Sequence, residues 1–228
     1  MVEKKTILVD CDGVVLNWEY AFDIFMEEYG FKKVKGAEYI YNIGERYGVD
    51  KAQGKKLIKQ FNESAAIGYL PALRDAVQYI TKMAEEGWDF HAITSLSTNK
   101  YAQKLRKMNL AKLFGENTFS CVTCIGTGAD KDHSLSKYKG SGYYWIEDKP
   151  ENCLAGAKQG LKPLLMEHGF NMDCKDFPLV KNWKEIYEIV NNGLWDGKFI
   201  SSVKDQLPGR INKKTTKKTP FERGLIYL

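Results

Sequence analysis

The most constraining feature of this sequence is a short apolar run that ends in acid. Thr6-Ile7-Leu8-Val9 leads directly into Asp10-Cys11-Asp12-Gly13-Val14. A run of that length, rich in branched side chains and stopped by a turn signal, predicts a buried strand. The same pattern returns far downstream. Trp88 to Thr94 predicts a strand that ends in Thr94-Ser95, and Tyr143-Tyr144-Trp145-Ile146 predicts one that ends in Glu147-Asp148.

Helical patterns separate these strands. Trp18, Phe22, Phe25 and Met26 recur at spacings of three and four, which predicts a helix over 17–30 with Gly30 at its C-cap. Asp50 is suited to cap a second helix reaching about residue 62. Pro71 is expected to open a third, with Ala76, Ile80 and Met83 on one face and Gly87 as its stop. Further helices are expected over about 98–108, 150–159 and 183–191, and further strands over 118–125 and 162–167. Residues 31–49 resist assignment. The alternation predicts an α/β fold, with a mainly parallel sheet covered on both faces. About 50 residues after the first strand hold helical pattern and no strand, so 17–70 reads as a small α-helical lid domain. The core is then 1–16 together with 71–197.

Charge divides the chain. From Lys198 onward there are eight Lys or Arg against Asp205 and Glu222, so the segment 198–228 carries +6 and the remainder −1. Such a basic tail is able to touch nucleic acid or another anionic surface, or simply to stay solvated. No apolar run approaches the roughly 18 residues of a membrane-spanning helix. Met1 to Thr6 runs straight into the first strand without a secretory apolar segment. Five cysteines are an odd number for a disulfide framework, so a cytoplasmic protein with reduced thiols is expected.

In open α/β sheets the binding site lies beyond the carboxyl ends of the strands. Asp10, Asp12, Asp148, Thr94 and Ser95 all fall at such ends. Carboxylates gathered at one sheet edge repel each other, and a hard divalent cation such as Mg²⁺ offsets that repulsion. A calcium loop does not explain Asp-x-Asp-Gly here. Its fifth and sixth places would be Val14 and Val15, and its twelfth Ala21.

Ile7-Leu8-Val9-Asp10-Cys11-Asp12-Gly13-Val14, Ala92-Ile93-Thr94-Ser95, Lys131 and Trp145-Ile146-Glu147-Asp148 come in an order that resembles the haloacid dehalogenase-like (HAD) phosphohydrolase superfamily. The resemblance covers about residues 6–170. It implies a Rossmann-like three-layer sandwich with a C1-type helical cap inserted after the first strand. Within the superfamily the chain is most similar to 5′(3′)-deoxyribonucleotidase-type phosphatases. The resemblance makes Asp10 the nucleophile that forms an aspartyl-phosphate, and Asp12 the acid and then the base. Mg²⁺ would be held by Asp10, the backbone carbonyl of Asp12, and Asp148. Thr94 and Ser95 would hydrogen-bond the phosphoryl group.

Lys131 is expected to bind the phosphate as well, because Gly126-Thr127-Gly128 makes a tight connection just before it. Lys137 and Lys139 are its rivals. Glu147 replaces the more usual Asp, and it would act through water or from behind the ion. Gly126-Thr127-Gly128-Ala129-Asp130-Lys131 departs from a dinucleotide fingerprint, since Lys131 stands where the third glycine belongs. Cys121 and Cys124 read as ordinary thiols within a strand, and the scattered His91, His133 and His168 need no catalytic role.

Trp18 and Phe22, four residues apart just past the acidic loop, are candidates to contact the substrate or to pack the lid. The expected activity is therefore a Mg²⁺-dependent phosphomonoesterase acting on a small ester, with a nucleoside monophosphate favoured. A polynucleotide 3′-phosphatase that uses the basic tail, and a non-catalytic binding protein on the same scaffold, are the alternatives.

Overall fold

The computed structural model describes residues 5–195; the basic segment 198–228 lies outside them. Among the described residues six strands form one sheet: β1 (Lys5–Val9), β2 (Trp88–Ser95), β3 (Phe119–Ile125), β4 (Tyr144–Glu147), β5 (Lys162–Met166) and β6 (Leu179–Val180). Their order is β3-β2-β1-β4-β5-β6, and every neighbouring pair is parallel. The order reverses between β1 and β4. That is the point at which a parallel sheet leaves a crevice beyond its carboxyl edge.

Eight α-helices accompany the sheet in this region: α1 (Trp18–Glu28), α2 (Ile43–Tyr47), α3 (Lys51–Asn62), α4 (Ala76–Glu85), α5 (Lys100–Phe114), α6 (Asp132–Ser136), α7 (Pro150–Lys158) and α8 (Trp183–Asn192). Ile7, Val9, Phe90 and Ile146 pack on one face of the sheet with apolar residues of α4, α5 and α8. Leu8, Ile93 and Trp145 pack on the other with Leu135 of α6 and Ala155 of α7. Both faces are buried, which is why β1 is apolar without alternation. The result is a three-layer α/β sandwich.

Residues 17–70 contain α1, α2, α3 and two short 3₁₀ turns, and no strand. The two ends of this segment meet at a hydrogen-bonded neck. The Asn17 N–H donates to the Pro71 carbonyl (2.8 Å) and the Leu73 N–H to the Val15 carbonyl (2.9 Å). This pairing corrects one expectation. The helix predicted from Pro71 begins only at Ala76, because the backbone of 71–73 is committed to the loop after β1. Two more elements escaped the pattern. α2 lies in the segment that resisted assignment, and β6 is only two residues long.

The loop after β1 is fixed from below by α8. Trp183 is fully buried, and its indole N–H donates to the Val14 carbonyl at 2.9 Å. Its backbone N–H donates to the Asp75 carboxylate at 2.8 Å, next to the neck. We predict that Trp183→Ala lowers stability by about 3–5 kcal/mol, as expected for a large side chain lost from a packed interior. In urea unfolding this appears as a lower midpoint at an unchanged slope. A midpoint within error of the wild type would show that this tie does not hold the loop.

Candidate active site

The register of two strands brings the acids together. Val9 pairs with Ile146, and the Asp10 N–H donates to the Ile146 carbonyl at 2.9 Å. The next residues on the two strands are Asp10 on one side and Glu147-Asp148 on the other. One carboxylate oxygen from each of these three buried residues lies within 4.8 Å of the other two.

A buried ammonium answers part of this charge. Lys131, 1% exposed, places Nζ 2.8 Å from Asp10 Oδ2 and 2.8 Å from Glu147 Oε2. Gly128, in the left-handed region at φ 69°, turns the chain after β3 so that Lys131 precedes α6 and reaches inward. Burial alone would lower the pKa of this lysine, but Asp10 and Glu147 outweigh it and hold the group protonated. Lys137 and Lys139, its rivals in the sequence, make no ion pair with the acids.

The carboxylates are strained toward neutrality. Burial pushes Asp148 up to about 6, with repulsion from Asp10 adding to the effect. Burial pushes Glu147 up to about 7, against the pull of Lys131. Asp10 is also raised by burial, and Lys131 offsets part of the rise. Glu147 is the most committed of the three. It is fully buried, and Oε1 accepts the N–H groups of Asp148 (3.1 Å) and Lys149 (3.2 Å) while Oε2 holds Lys131. Asp148 is the least committed. Among the described residues its Oδ1 is buried without a hydrogen-bond partner.

That orphan oxygen, together with hard oxygen donors on a net-negative cluster, fits a small divalent cation. The surroundings hold Asp148 in place. Asn171 Nδ2 donates to the Asp148 carbonyl at 2.7 Å, and His168 Nε2 lies 2.7 Å from the Gly13 carbonyl. Gly13 has φ +75°, and a Cβ there would come within 2.5 Å of Asp148 Oδ2. The glycine of Asp-x-Asp-Gly is therefore required by its partner across the cluster.

Asp12 takes a different direction. Its Oδ1 forms an ion pair at 2.8 Å with Nη2 of Arg106, a fully buried residue of α5. Its side chain retains 21% exposure, and the residue lines the cavity above the cluster. The Asp12 carboxylate thus lies outside the three-acid cluster, which leaves its backbone carbonyl as the donor proposed for an ion. Burial raises the Asp12 pKa, and the neighbouring guanidinium opposes that rise.

Sequence reasoning missed Arg106. It sits within a helix of weak amphipathic pattern, and nothing local marks it as buried. Arg106 Nη1 also lies 3.4 Å from Thr94 Oγ1. Thr94 is fully buried, with its hydroxyl toward Arg106 of α5, and it is not among the residues that line the cavity. Ser95, the next residue along β2, lines the cavity and donates to the Ala129 carbonyl at 3.3 Å. Successive strand residues face opposite ways, which accounts for the difference.

The cavity, of about 200 Å³, extends from these groups to the helical segment. Trp18 is on its wall. The indole is stacked on Phe22 (4.5 Å, 11°), and its N–H donates to Asn62 Oδ1 at 2.9 Å. Of the two roles open to Phe22, the structure shows the packing one. It is 1% exposed, lies edge-on to Phe61, and packs the interior of the helical segment behind Trp18.

The chain matches no family model. It is 31% identical over 158 residues to an uncharacterized 32.4 kDa protein from the Gp30-rIII intergenic region of Enterobacteria phage T4. That match covers 66% of this chain and 56% of the phage protein, so the chain spans little more than half the length of this curated relative. Among solved structures it resembles a haloacid dehalogenase-like hydrolase from Streptococcus pneumoniae (TM-score 0.56, 13% identity, 83% of this chain and 100% of the other). A HAD-superfamily hydrolase from Ehrlichia chaffeensis is similar at TM-score 0.53 (12% identity, 85% and 99% covered). So is a D,D-heptose 1,7-bisphosphate phosphatase from B. bronchiseptica, solved with magnesium and phosphate, at 0.50 (14% identity, 83% and 99% covered). The fold is the Rossmann-like α/β fold of these hydrolases.

Two predictions follow from the charges. Folding raises Asp148 from an ordinary 3.8 to about 6, so the native state binds more protons than the unfolded chain in that window. The contribution of Asp148 to the stability of the metal-free protein therefore falls as pH rises from 4 to 6. Asp148→Asn removes that penalty and should stabilise the metal-free protein at pH 7.5 by on the order of 1 kcal/mol, read as a higher Tm. A lower Tm than wild type without metal would contradict the assigned strain. Arg106→Met should cost about 3 kcal/mol by leaving Asp12 unpaired. In Arg106→Met/Asp12→Asn much of that cost should return, whereas additive losses in urea unfolding would mean the pair is not coupled.

Proposed function

We propose that the protein is a Mg²⁺-dependent phosphomonoester hydrolase that works through an aspartyl-phosphate, with a nucleoside monophosphate as substrate. One observation carries this reading. One carboxylate oxygen each of Asp10, Glu147 and Asp148 lies within 4.8 Å of the other two at the sheet edge, a buried lysine pairs with Asp10 and Glu147, and Asp10 and Asp148 line the cavity. The likeness in fold to phosphatases supports it.

Asp10 and Asp148 would hold the ion through their carboxylates, and Asp12 through its backbone carbonyl. When bound, Mg²⁺ supplies positive charge to the non-bridging phosphoryl oxygens and relieves the repulsion among the acids. The chain's own groups do the rest. A carboxylate oxygen of Asp10 attacks phosphorus, so the Asp10–phosphorus bond forms as the bond to the leaving oxygen breaks. Asp12, protonated for this step, gives its proton to the leaving oxygen. Asp12 then takes a proton from water as that water attacks the same phosphorus, which returns Asp10 as a free carboxylate and releases phosphate.

Lys131 adds fixed positive charge beside the attacking group, and Glu147 keeps its ammonium aimed there. Ser95 Oγ, on the cavity wall, is placed to exchange its bond to Ala129 for one to a phosphoryl oxygen. Arg106 acts as a positioning residue. By holding Asp12 Oδ1 it leaves the other oxygen toward the cavity.

Trp18 supports the nucleotide as substrate. One face of the indole is covered by Phe22, and Asn62 locks its plane, with Asn62 Nδ2 bonded in turn to the Leu96 carbonyl at 3.1 Å. An aromatic plane fixed this way in a cavity wall favours stacking with a base.

A phosphate-release screen over nucleoside monophosphates, sugar phosphates and p-nitrophenyl phosphate, run with and without Mg²⁺, tests the reading. We expect metal-dependent release, and a loss of about 10³-fold or more in Asp10→Asn, equivalent to roughly 4 kcal/mol of barrier. No release from any substrate, or near wild-type turnover in Asp10→Asn, would overturn it.

A further inference from the structure

Among the described residues Arg74 is the one non-glycine residue in the left-handed region, at φ 47°. A long side chain on such a backbone is strained, and the conformation persists where the surroundings hold it. Arg74 stands at the foot of the neck, directly after Leu73, whose N–H is committed to the Val15 carbonyl. Its guanidinium reaches two segments that lie far along the chain. Nη2 donates to the Glu167 carbonyl at 2.6 Å, while Nη1 donates to the Lys181 carbonyl and lies 3.2 Å from Met166 Sδ. A planar fork suits this task, because one rigid group spans both carbonyls.

The segment anchored in this way, 167–171, meets both the insertion and the acids. On the insertion side, Gly169 packs against the Glu38 carbonyl and Phe170 against the Tyr41 ring. On the acid side, the buried Asn171 is fully occupied. Its Nδ2 donates to the carbonyls of Asp148 (2.7 Å) and Met166 (2.8 Å), and its Oδ1 accepts the His168 N–H (2.8 Å). His168 Nε2 in turn donates to the Gly13 carbonyl at 2.7 Å. The segment adds no carboxylate to the acid cluster. What it does is hold the two stretches of backbone, at Gly13 and at Asp148, on which the acids stand.

We propose that Arg74 is a positioning residue for the cation site. From the neck it fixes residues 167–171, and through His168 and Asn171 it keeps the Gly13 and Asp148 backbone in the arrangement that gathers the acids. This rests on the Mg²⁺-dependent reading of the site and adds to it a residue that touches neither substrate nor ion. Glycine at 74 would relieve the backbone, so the contacts of the guanidinium are what the strained conformation serves.

Calorimetric titration with MgCl₂ tests this without turnover, on the wild type, Arg74→Gly, Arg74→Ala and Arg74→Lys, below the unfolding transition of each. Arg74→Gly loses the fork and gains a relaxed backbone, so it should keep a Tm near that of the wild type. Its Kd for Mg²⁺ should nevertheless rise about fivefold or more, as when the groups that orient metal ligands are lost. Arg74→Ala should bind Mg²⁺ as weakly and melt lower, since the strain stays and the contacts go. Arg74→Lys, which reaches one carbonyl at a time, should fall between Arg74→Gly and the wild type. Val190→Ala, a truncation in the packed interior at the far end of α8, should lower Tm and leave the Kd unchanged. In phosphate release the Arg74 variants should need more Mg²⁺ for half-maximal rate and regain the wild-type rate at saturating Mg²⁺.

A Kd in Arg74→Gly within about twofold of the wild type overturns the proposal. So does a Kd that follows Tm across all the variants, Val190→Ala included, and so does a wild type that binds no Mg²⁺. Mg²⁺ binding without release of phosphate from any ester rejects the esterase reading instead, and the comparison of Kd values still decides the role of Arg74.

Discussion

Three buried carboxylates and one buried ammonium set the terms for the rest of this molecule. The parallel pairing of β1 with β4 places Asp10 beside Glu147 and Asp148, so their proximity follows from backbone register and does not depend on side-chain choice alone. Water is largely excluded there, and the burial that raises all three carboxyl groups would favour neutral acids without a partner. Lys131 compensates at one corner only. Its position explains why the loop after β3 turns sharply and why Glu147 is fully interior: the acid fixes the lysine, and the two N–H groups it accepts fix the acid. The charge left over, concentrated on Asp10 and Asp148, is what makes a divalent cation the natural complement.

The surroundings of that cluster come from parts of the chain far apart in sequence. β1 contributes the loop, α8 secures it through Trp183, and the segment after β5 supplies Asn171 and His168. The same segment reaches the helical insertion. A Cβ at Gly169 would come within 2.2 Å of the Glu38 carbonyl, and Phe170 meets Tyr41 edge-on at 5.0 Å. The insertion is therefore seated on the core at two places, the hydrogen-bonded neck at 15–17 and 71–73 and this contact beyond β5. Between them lies the cavity. The glycine at 169 serves close packing between backbone segments, as Gly13 does at the acids.

How far this was legible in the sequence depends on the range over which each signal acts. Asp10, Asp12, Glu147, Asp148 and Lys131 stood out because each follows a short apolar run or a glycine turn, and such local patterns survive without knowledge of the fold. The sheet was legible for the same reason. Arg106 was not, because its significance arises from α5 packing beneath the loop after β1, a contact that no local period encodes. Thr94 and Ser95 could not be separated without knowing which face of β2 meets the cavity. Trp18 and Phe22 share a helical face, so spacing left both open, and only the packing of Phe61 shows that Phe22 forms the backing for Trp18. The start of α4 was misplaced because Pro71 suits a helix end, while long-range hydrogen bonds to residues 15 and 17 hold that backbone extended.

The cavity between the two seats is walled by groups of different origin. Trp18, Asn62 and the lysines of α3 belong to the helical insertion, whereas the acids and Lys131 belong to the sheet. In the proposed reaction the acids would carry the chemistry and the helical insertion would face the organic part of the ester, so the two tasks fall on different segments of the chain. Substitutions on α3 leave the register that assembles the acids in place, because the cross-strand pairing of β1 and β4 owes nothing to α3.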